Sequence, residues 1–211
     1  MNNEEYLFSE YGKLIDAELM SRYTGSLYHT PADIQPTYDE FRDMFSKGQV
    51  LSKLWAISEF SNTGMKTAID NVVIVGAWYG TLGLMLNNMY PEYNIKLLDI
   101  DKRCVLLLHN IANGMNNIKA ITGDMYEYKY TEDLIINTSC EHIPNLADWL
   151  ERVPTGTIVI LQSNNHTGMS GHINCVNSVS EFKEQANLTN VMYANDFDLG
   201  VYTRYMIIGI V

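Results

Sequence analysis

The stretch Val75-Gly76-Ala77-Trp78-Tyr79-Gly80-Thr81-Leu82-Gly83 sets glycines between an apolar run and a helix-forming run. Glycine at such a turn lets backbone approach a ligand closely, and the helix that follows presents its first N–H groups. A plain tight turn would use the same residues. Leu97-Leu98-Asp99-Ile100-Asp101 ends a second apolar run in acid. A carboxylate just past a strand can accept both hydroxyls of a ribose. Asp101 suits a helix N-cap better than Asp99 does. In Thr122-Gly123-Asp124-Met125, after a third apolar run, Asp124 can accept from the amino group of a base while Met125 packs on its ring. The three signals come in order, each at the end of an apolar run, where ligands of open α/β sheets bind.

Other residues are suited to reaction chemistry. Asn137-Thr138-Ser139-Cys140-Glu141-His142-Ile143-Pro144 offers Glu141 and His142 as a general base or as orienting groups, or as caps for the next helix. The stretch from Gln162 to Cys175 is rich in amides and imidazoles. A polar loop of that length is of a functional kind. Asn164, Asn165 and His172 are candidates to line a substrate pocket, and His166 is a further candidate base. His166, His172 and Cys175 match no metal-ligand spacing, so no metal is expected. Arg204, beside Tyr202, can meet an anionic substrate or pair with surface acid. Phe45-Ser46-Lys47-Gly48-Gln49, with Ser52 and Lys53 a turn later, forms a polar cluster at a helix start. Gln49 and Lys53 there suit a carboxylate, though an ordinary exposed helix start looks the same.

These residues need a scaffold, and the apolar pattern supplies one. Residues 72–75, 95–100, 119–122, 134–137 and 157–162 read as strands, and 81–89, 105–112, 145–152 and 178–185 as helices between them. Fully apolar strands alternating with helices predict right-handed βαβ units on a buried parallel sheet. Residues 190–194 and 202–210 have no helix between them, so they predict a terminal antiparallel hairpin. The expected fold is α/β, a Rossmann-like, mostly parallel seven-stranded sheet. Residues 1–70 read as an N-terminal helical cap, with helical stripes over 6–23, 37–45 and 49–60, and residues 71–211 as the sheet domain. In the second stripe Tyr38, Phe41 and Phe45 are expected on one face, and in the third Leu51, Leu54 and Ile57 should bury against the sheet.

Composition narrows the partners. With 25 acidic and 14 basic residues the net charge is -11, which repels phosphate backbones and disfavours nucleic acid. Three widely spaced cysteines and no apolar run of membrane-spanning length predict a soluble, cytoplasmic protein. The acidic start of the chain is unlike a signal peptide.

Taken together, residues 71–211 resemble the class I S-adenosylmethionine (SAM)-dependent methyltransferases. The resemblance implies SAM as cofactor, with Gly76, Trp78 and Gly80 around its methionine part, Asp99 on the ribose, and Asp124 and Met125 at the adenine. It places Glu141 and His142 beside the transferred methyl, with a small molecule as the expected acceptor. Two positions depart from the family pattern: Ile74 stands where an acid is usual, and Trp78 where a glycine is. Trp78 then either stacks on the sulfonium or fills core, and Gln49 and Lys53 can compensate for the missing acid. These departures also keep open another SAM reaction, such as aminobutanoyl transfer or SAM cleavage, or a non-catalytic binding protein on the same fold.

Overall fold

The computed structural model describes residues 17–211. Most of the first helical stripe expected over 6–23 lies outside them. Within them α1 spans Ala17–His29, α2 Tyr38–Met44 and α3 Lys47–Asn62. Each of the last two starts where its caps dictate. Thr37 and Glu40 form a reciprocal capping box on α2, and the Ser46 hydroxyl accepts the Gln49 N–H at the start of α3.

The sheet domain follows with β1 Asn71–Val75, α4 Thr81–Met89, β2 Asn94–Asp99, α5 Lys102–Ile111, β3 Ile118–Thr122, β4 Leu134–Asn137, α6 Leu146–Leu150, β5 Ile158–Asn164, α7 Val179–Ala186, β6 Asn190–Asp198 and β7 Thr203–Ile210. The strand order is β3-β2-β1-β4-β5-β7-β6. The first five strands are parallel; β7 runs antiparallel to β5 and to β6. Order reverses between β1 and β4, and that switch opens a crevice at the C-terminal strand ends. Register brings the site residues to this edge, since Val75 pairs with Leu98 and Asn137, and Asp99 with Thr122.

Alternate strand residues divide between two apolar layers. Val72, Ile74, Leu97, Ile136, Ile160 and Ile208 join α3, α4 and α5 in one core. Val73, Val75, Leu98, Ile135, Leu161 and Ile207 join α6 and α7 in the other. Burial on both faces is why β1 and β4 read as unbroken apolar runs. α3 shares its core with the sheet and is buried from Val50 through Ile57, so it is enclosed rather than striped. The expected burial of Leu51, Leu54 and Ile57 holds. Of Tyr38, Phe41 and Phe45, expected on one face, the two phenylalanines pack on the first core. The two phenylalanine rings meet at 5.4 Å, but Tyr38 is 78% exposed.

Two strands run longer than their apolar patterns. β5 includes Ser163 and Asn164, which are buried and pair with Tyr205 and Arg204, and β6 continues to Asp198 on the sheet edge. Among the described residues no helix is long and apolar enough to cross a membrane.

Candidate functional site

Val75 hands the chain to a tight turn whose conformation is set by three left-handed residues, Gly76 at φ 62°, Trp78 at φ 50° and Gly80 at φ 75°. Gly80 is required twice over. Its φ suits glycine, and a Cβ there would lie 2.3 Å from the Leu108 side chain. Trp78 carries the strain of a bulky left-handed residue, on the order of 1–2 kcal/mol. Its ring lies 5.0 Å from that of Tyr79 and packs on the apolar core, so at least part of the indole serves as filler. The Tyr23 hydroxyl in α1 donates to the Tyr79 carbonyl at 2.8 Å and pins the turn from outside.

Asp99 organises the same turn. One carboxylate oxygen accepts the Trp78 N–H at 2.6 Å and the other accepts the Asp101 N–H at 2.8 Å. Partial burial, the larger effect, raises its pKa, and these N–H groups work against that rise. Each oxygen keeps a second lone pair for a hydroxyl donor. Asp101 caps α5 by accepting the Arg103 N–H, as expected. Asp124 accepts the Tyr126 N–H at 2.8 Å, and Met125 packs half-buried on the second core. Ile74 is buried in the first core and offers the crevice no polar group. The α4 N-terminus has no side-chain cap, so its leading N–H groups are left for a ligand. Acceptors at Asp99 and Asp124 and donors at α4 match the donor and acceptor set of a nucleoside with a polar tail.

A second cluster lies where β4 and β5 end and β7 begins. Glu141 is 3% exposed; one of its oxygens accepts from Asn164 at 2.6 Å and from Arg204 at 3.1 Å. Its other oxygen, Oε2, is buried without a partner. Arg204 also donates to the Thr138 carbonyl, so this buried strand arginine locks the β4 loop to β7. Exposed His142 meets the Gly171 carbonyl through Nδ1 at 2.8 Å, and His172 meets the His166 carbonyl through Nδ1 at 2.8 Å. Gly171 sits at φ 84°, and its missing Cβ leaves room for the His142 ring. Burial lowers the His172 pKa, chiefly by desolvation. His166 stacks on Tyr202 at 5.4 Å, and a Cβ on Gly48 would lie 2.7 Å from the Tyr202 hydroxyl.

Asn165 is engaged with β7. Its side-chain oxygen accepts the Thr203 N–H and its backbone pairs with the same residue, so it extends the β5–β7 pairing. Lys53 donates to Gln49 and is buried. Desolvation, with Arg204 adding to it, brings the Lys53 pKa down to about 7, against weaker pulls from Asp43 and Glu141. Lys53 is therefore coupled electrostatically to the Glu141–Arg204 pair, and Gln49 meets that cluster only through its bonds to Lys53. Arg204 was legible as a candidate, but its partner was not, because nothing in a strand's sequence says which loop folds over it.

A cleft of about 430 Å³ lies elsewhere, between α1 and the far end of α5, lined by Ser21, His29 and Asn110 among others. α5 begins at the C-terminal strand edge and ends before β3 starts, so that cleft faces the opposite edge from Asp99.

No protein-family model and no curated protein sequence matches this chain. Solved structures do. Magnesium protoporphyrin IX methyltransferase from Synechocystis PCC 6803, determined with bound SAM, superposes with a TM-score of 0.62 at 11% identity, covering 93% of this chain and 97% of that one. N-methyltransferase NodS from Bradyrhizobium japonicum WM9 superposes at 0.56 with 9% identity, covering 73% and 93%. A SAM-dependent methyltransferase from Aquifex aeolicus gives 0.56 at 15% identity, covering 74% and 89%. The chain has the class I SAM-dependent methyltransferase fold. In that fold's terms, Gly76, Trp78, Gly80 and Asp99 are brought together at the β1–β2 end of the crevice, with Asp124 and Met125 following β3. Glu141, His142, Asn164, His166 and His172 gather at the β4–β5 end.

Proposed function

We propose that the protein is a soluble, cytoplasmic SAM-dependent methyltransferase acting on a small-molecule acceptor. The observation that carries this is Asp99. It stands at the C-terminal end of β2, and its carboxylate ties down the turn after β1 while keeping acceptor capacity for a ribose. The matching of the fold to enzymes determined with SAM or its product supports the same reading. The residues assigned to the cofactor are Gly76, Trp78 and Gly80 at the turn, Asp99 for the ribose, and Asp124 with Met125 at the base. SAM supplies an activated methyl on a sulfonium, so the protein's task is alignment and exclusion of water.

On the acceptor side Asn164, His166 and His172 form the polar wall. Glu141, held by Asn164 and Arg204, fixes that wall in place. A lowered His172 pKa keeps that imidazole neutral near pH 7, the form able to take a proton from an acceptor hydroxyl or ammonium. Lys53 beside Arg204 makes the floor cationic below its pKa of about 7, which suits an acceptor or cofactor carboxylate.

Ile74 and Trp78 favour one second reading, another SAM-consuming reaction on this fold, because they change the end of the turn assigned to the amino-acid part of SAM. Calorimetry with SAM, followed by product analysis with candidate acceptors, tests both readings. S-adenosylhomocysteine marks methyl transfer and methylthioadenosine marks the second reading. A chain that binds no SAM at all would be a binding protein on the fold.

A further inference from the structure

We infer that Glu141, His142 and His172 form a binding site for one divalent transition-metal ion of the zinc class. One ligand atom from each of the three lies within 4.8 Å of the others, the one such group among the described residues. A tetrahedral ion with bonds of about 2.0–2.1 Å holds its ligands roughly 3.3 Å apart, so modest side-chain rotations close the site.

Three features of the neighbourhood go beyond proximity. Both imidazoles engage a backbone carbonyl through Nδ1, His142 at Gly171 and His172 at His166. That contact fixes Nδ1 as the protonated nitrogen and leaves the Nε2 lone pair for an ion, the usual arrangement behind metal-bound histidines. Glu141 has one oxygen saturated by Asn164 and Arg204, while Oε2 is buried and unpartnered. A buried carboxylate oxygen without a donor is costly, and a metal ion removes that cost. His142 is exposed, so an ion reaches the group from solvent.

The ligand chemistry selects the ion. Two imidazoles and one carboxylate suit zinc, iron(II) or cobalt(II), whereas magnesium and calcium prefer oxygen alone. Arg204 lies against the same carboxylate, which penalises ions held by charge more than ions held by imidazole lone pairs. Three protein ligands leave a position for water or an acceptor atom. The site also joins two loops. The Ile173 and Asn174 N–H groups already donate to the Glu141 carbonyl at 2.9 Å, His142 meets the Gly171 carbonyl, and the ion would add a further tie between the β4 and β5 loops.

This inference stands whether or not the protein transfers methyl groups, and its test uses the metal alone. Tag-free, chelator-stripped full-length protein is titrated with zinc by calorimetry and with cobalt(II) by visible absorption. The expected result is saturation at one ion per chain with cobalt d–d bands of a low-coordinate nitrogen and oxygen site. His142→Ala and His172→Ala should each weaken binding at least tenfold, the scale of losing a ligand or its support. His109→Ala, an exposed histidine on α5, and Asp99→Ala should bind as the unaltered chain does. His142 is exposed, so its replacement does not threaten folding, and the spectrum of the unaltered protein needs no variant. No saturable binding by the stripped protein, wild-type affinity in both His142→Ala and His172→Ala, or loss of binding in His109→Ala would each overturn the site.

Discussion

Asp99 serves two ends with one carboxylate. It holds the turn after β1 through the Trp78 N–H, and in the proposed function it also receives the ribose. Asp99→Ala is therefore expected to weaken SAM binding by about 1–3 kcal/mol, the scale for leaving polar partners unpaired. Unchanged affinity by calorimetry would put the ribose elsewhere. Lys53 makes a different prediction. Its folded pKa, about 7, lies below that of an unfolded lysine, so the folded chain binds fewer protons between pH 7 and roughly pH 10.4. Stability from this group then rises with pH across that window, and the penalty of a buried ammonium is fully present below it. Lys53→Met should raise the melting temperature more at pH 6 than at pH 10. An equal shift at both would mean the ammonium is not desolvated. Asp99 was visible in the sequence because its strand ends in acid. The placement of Lys53 beside Arg204 was not, since it depends on how α3 lies across β7.

At the scale of elements, the proposed function gives the acceptor side to the loop after β5. It docks on the β4 loop through backbone contacts to Glu141 and through Gly171. His172→Ala is expected to leave SAM affinity near normal and to lower turnover or acceptor affinity about tenfold or more, within the usual range for a positioned acid–base group. Normal turnover would remove the loop from the acceptor site. Asn165→Ala should behave otherwise, because its side chain bonds Thr203. It should cost about 1 kcal/mol of stability, the usual worth of one such bond, before it touches turnover. The strand and helix order was legible because parallel strands buried on both faces leave unmistakable apolar runs. The ends were less so. Ser163 and Asn164 read as loop, being polar, yet both are buried strand residues paired with β7. Polar side chains enter a strand where the strand meets a site, and there hydrophobic pattern stops reporting secondary structure.

For the whole molecule, the question is whether residues 1–62 are an accessory or part of one folding unit. Leu51, Leu54, Trp55, Ile57 and Phe60 are all at most 3% exposed and share a core with Ile74, Ile160, Met206 and Ile208. Trp55 also donates to the Tyr193 hydroxyl on β6, and Gln162 in β5 donates to the Ser52 carbonyl. Each large apolar side chain of this kind contributes about 1.5–3 kcal/mol by burial. Five of them amount to roughly 10 kcal/mol, comparable with the net stability of an ordinary domain. Removal also bares the sheet face beneath them. The truncated chain is thus expected to lose cooperative unfolding, and Trp55→Ala alone to cost about 3–5 kcal/mol through its cavity. Thermal melts followed by near-ultraviolet circular dichroism measure both. A truncated chain that melts cooperatively near the full-length temperature would show that the sheet domain folds alone and that α3 merely rests on it. The expected outcome has a functional consequence. α3 carries Lys53 to the β4–β5 end of the crevice, and α1 pins the turn after β1 through Tyr23. Loss of SAM binding on truncation would therefore accompany loss of the fold, and Tyr23→Phe separates the two. It removes only the hydroxyl, with its bonds to the Tyr79 carbonyl and the Thr81 hydroxyl, so it should weaken SAM binding while cooperative melting is retained.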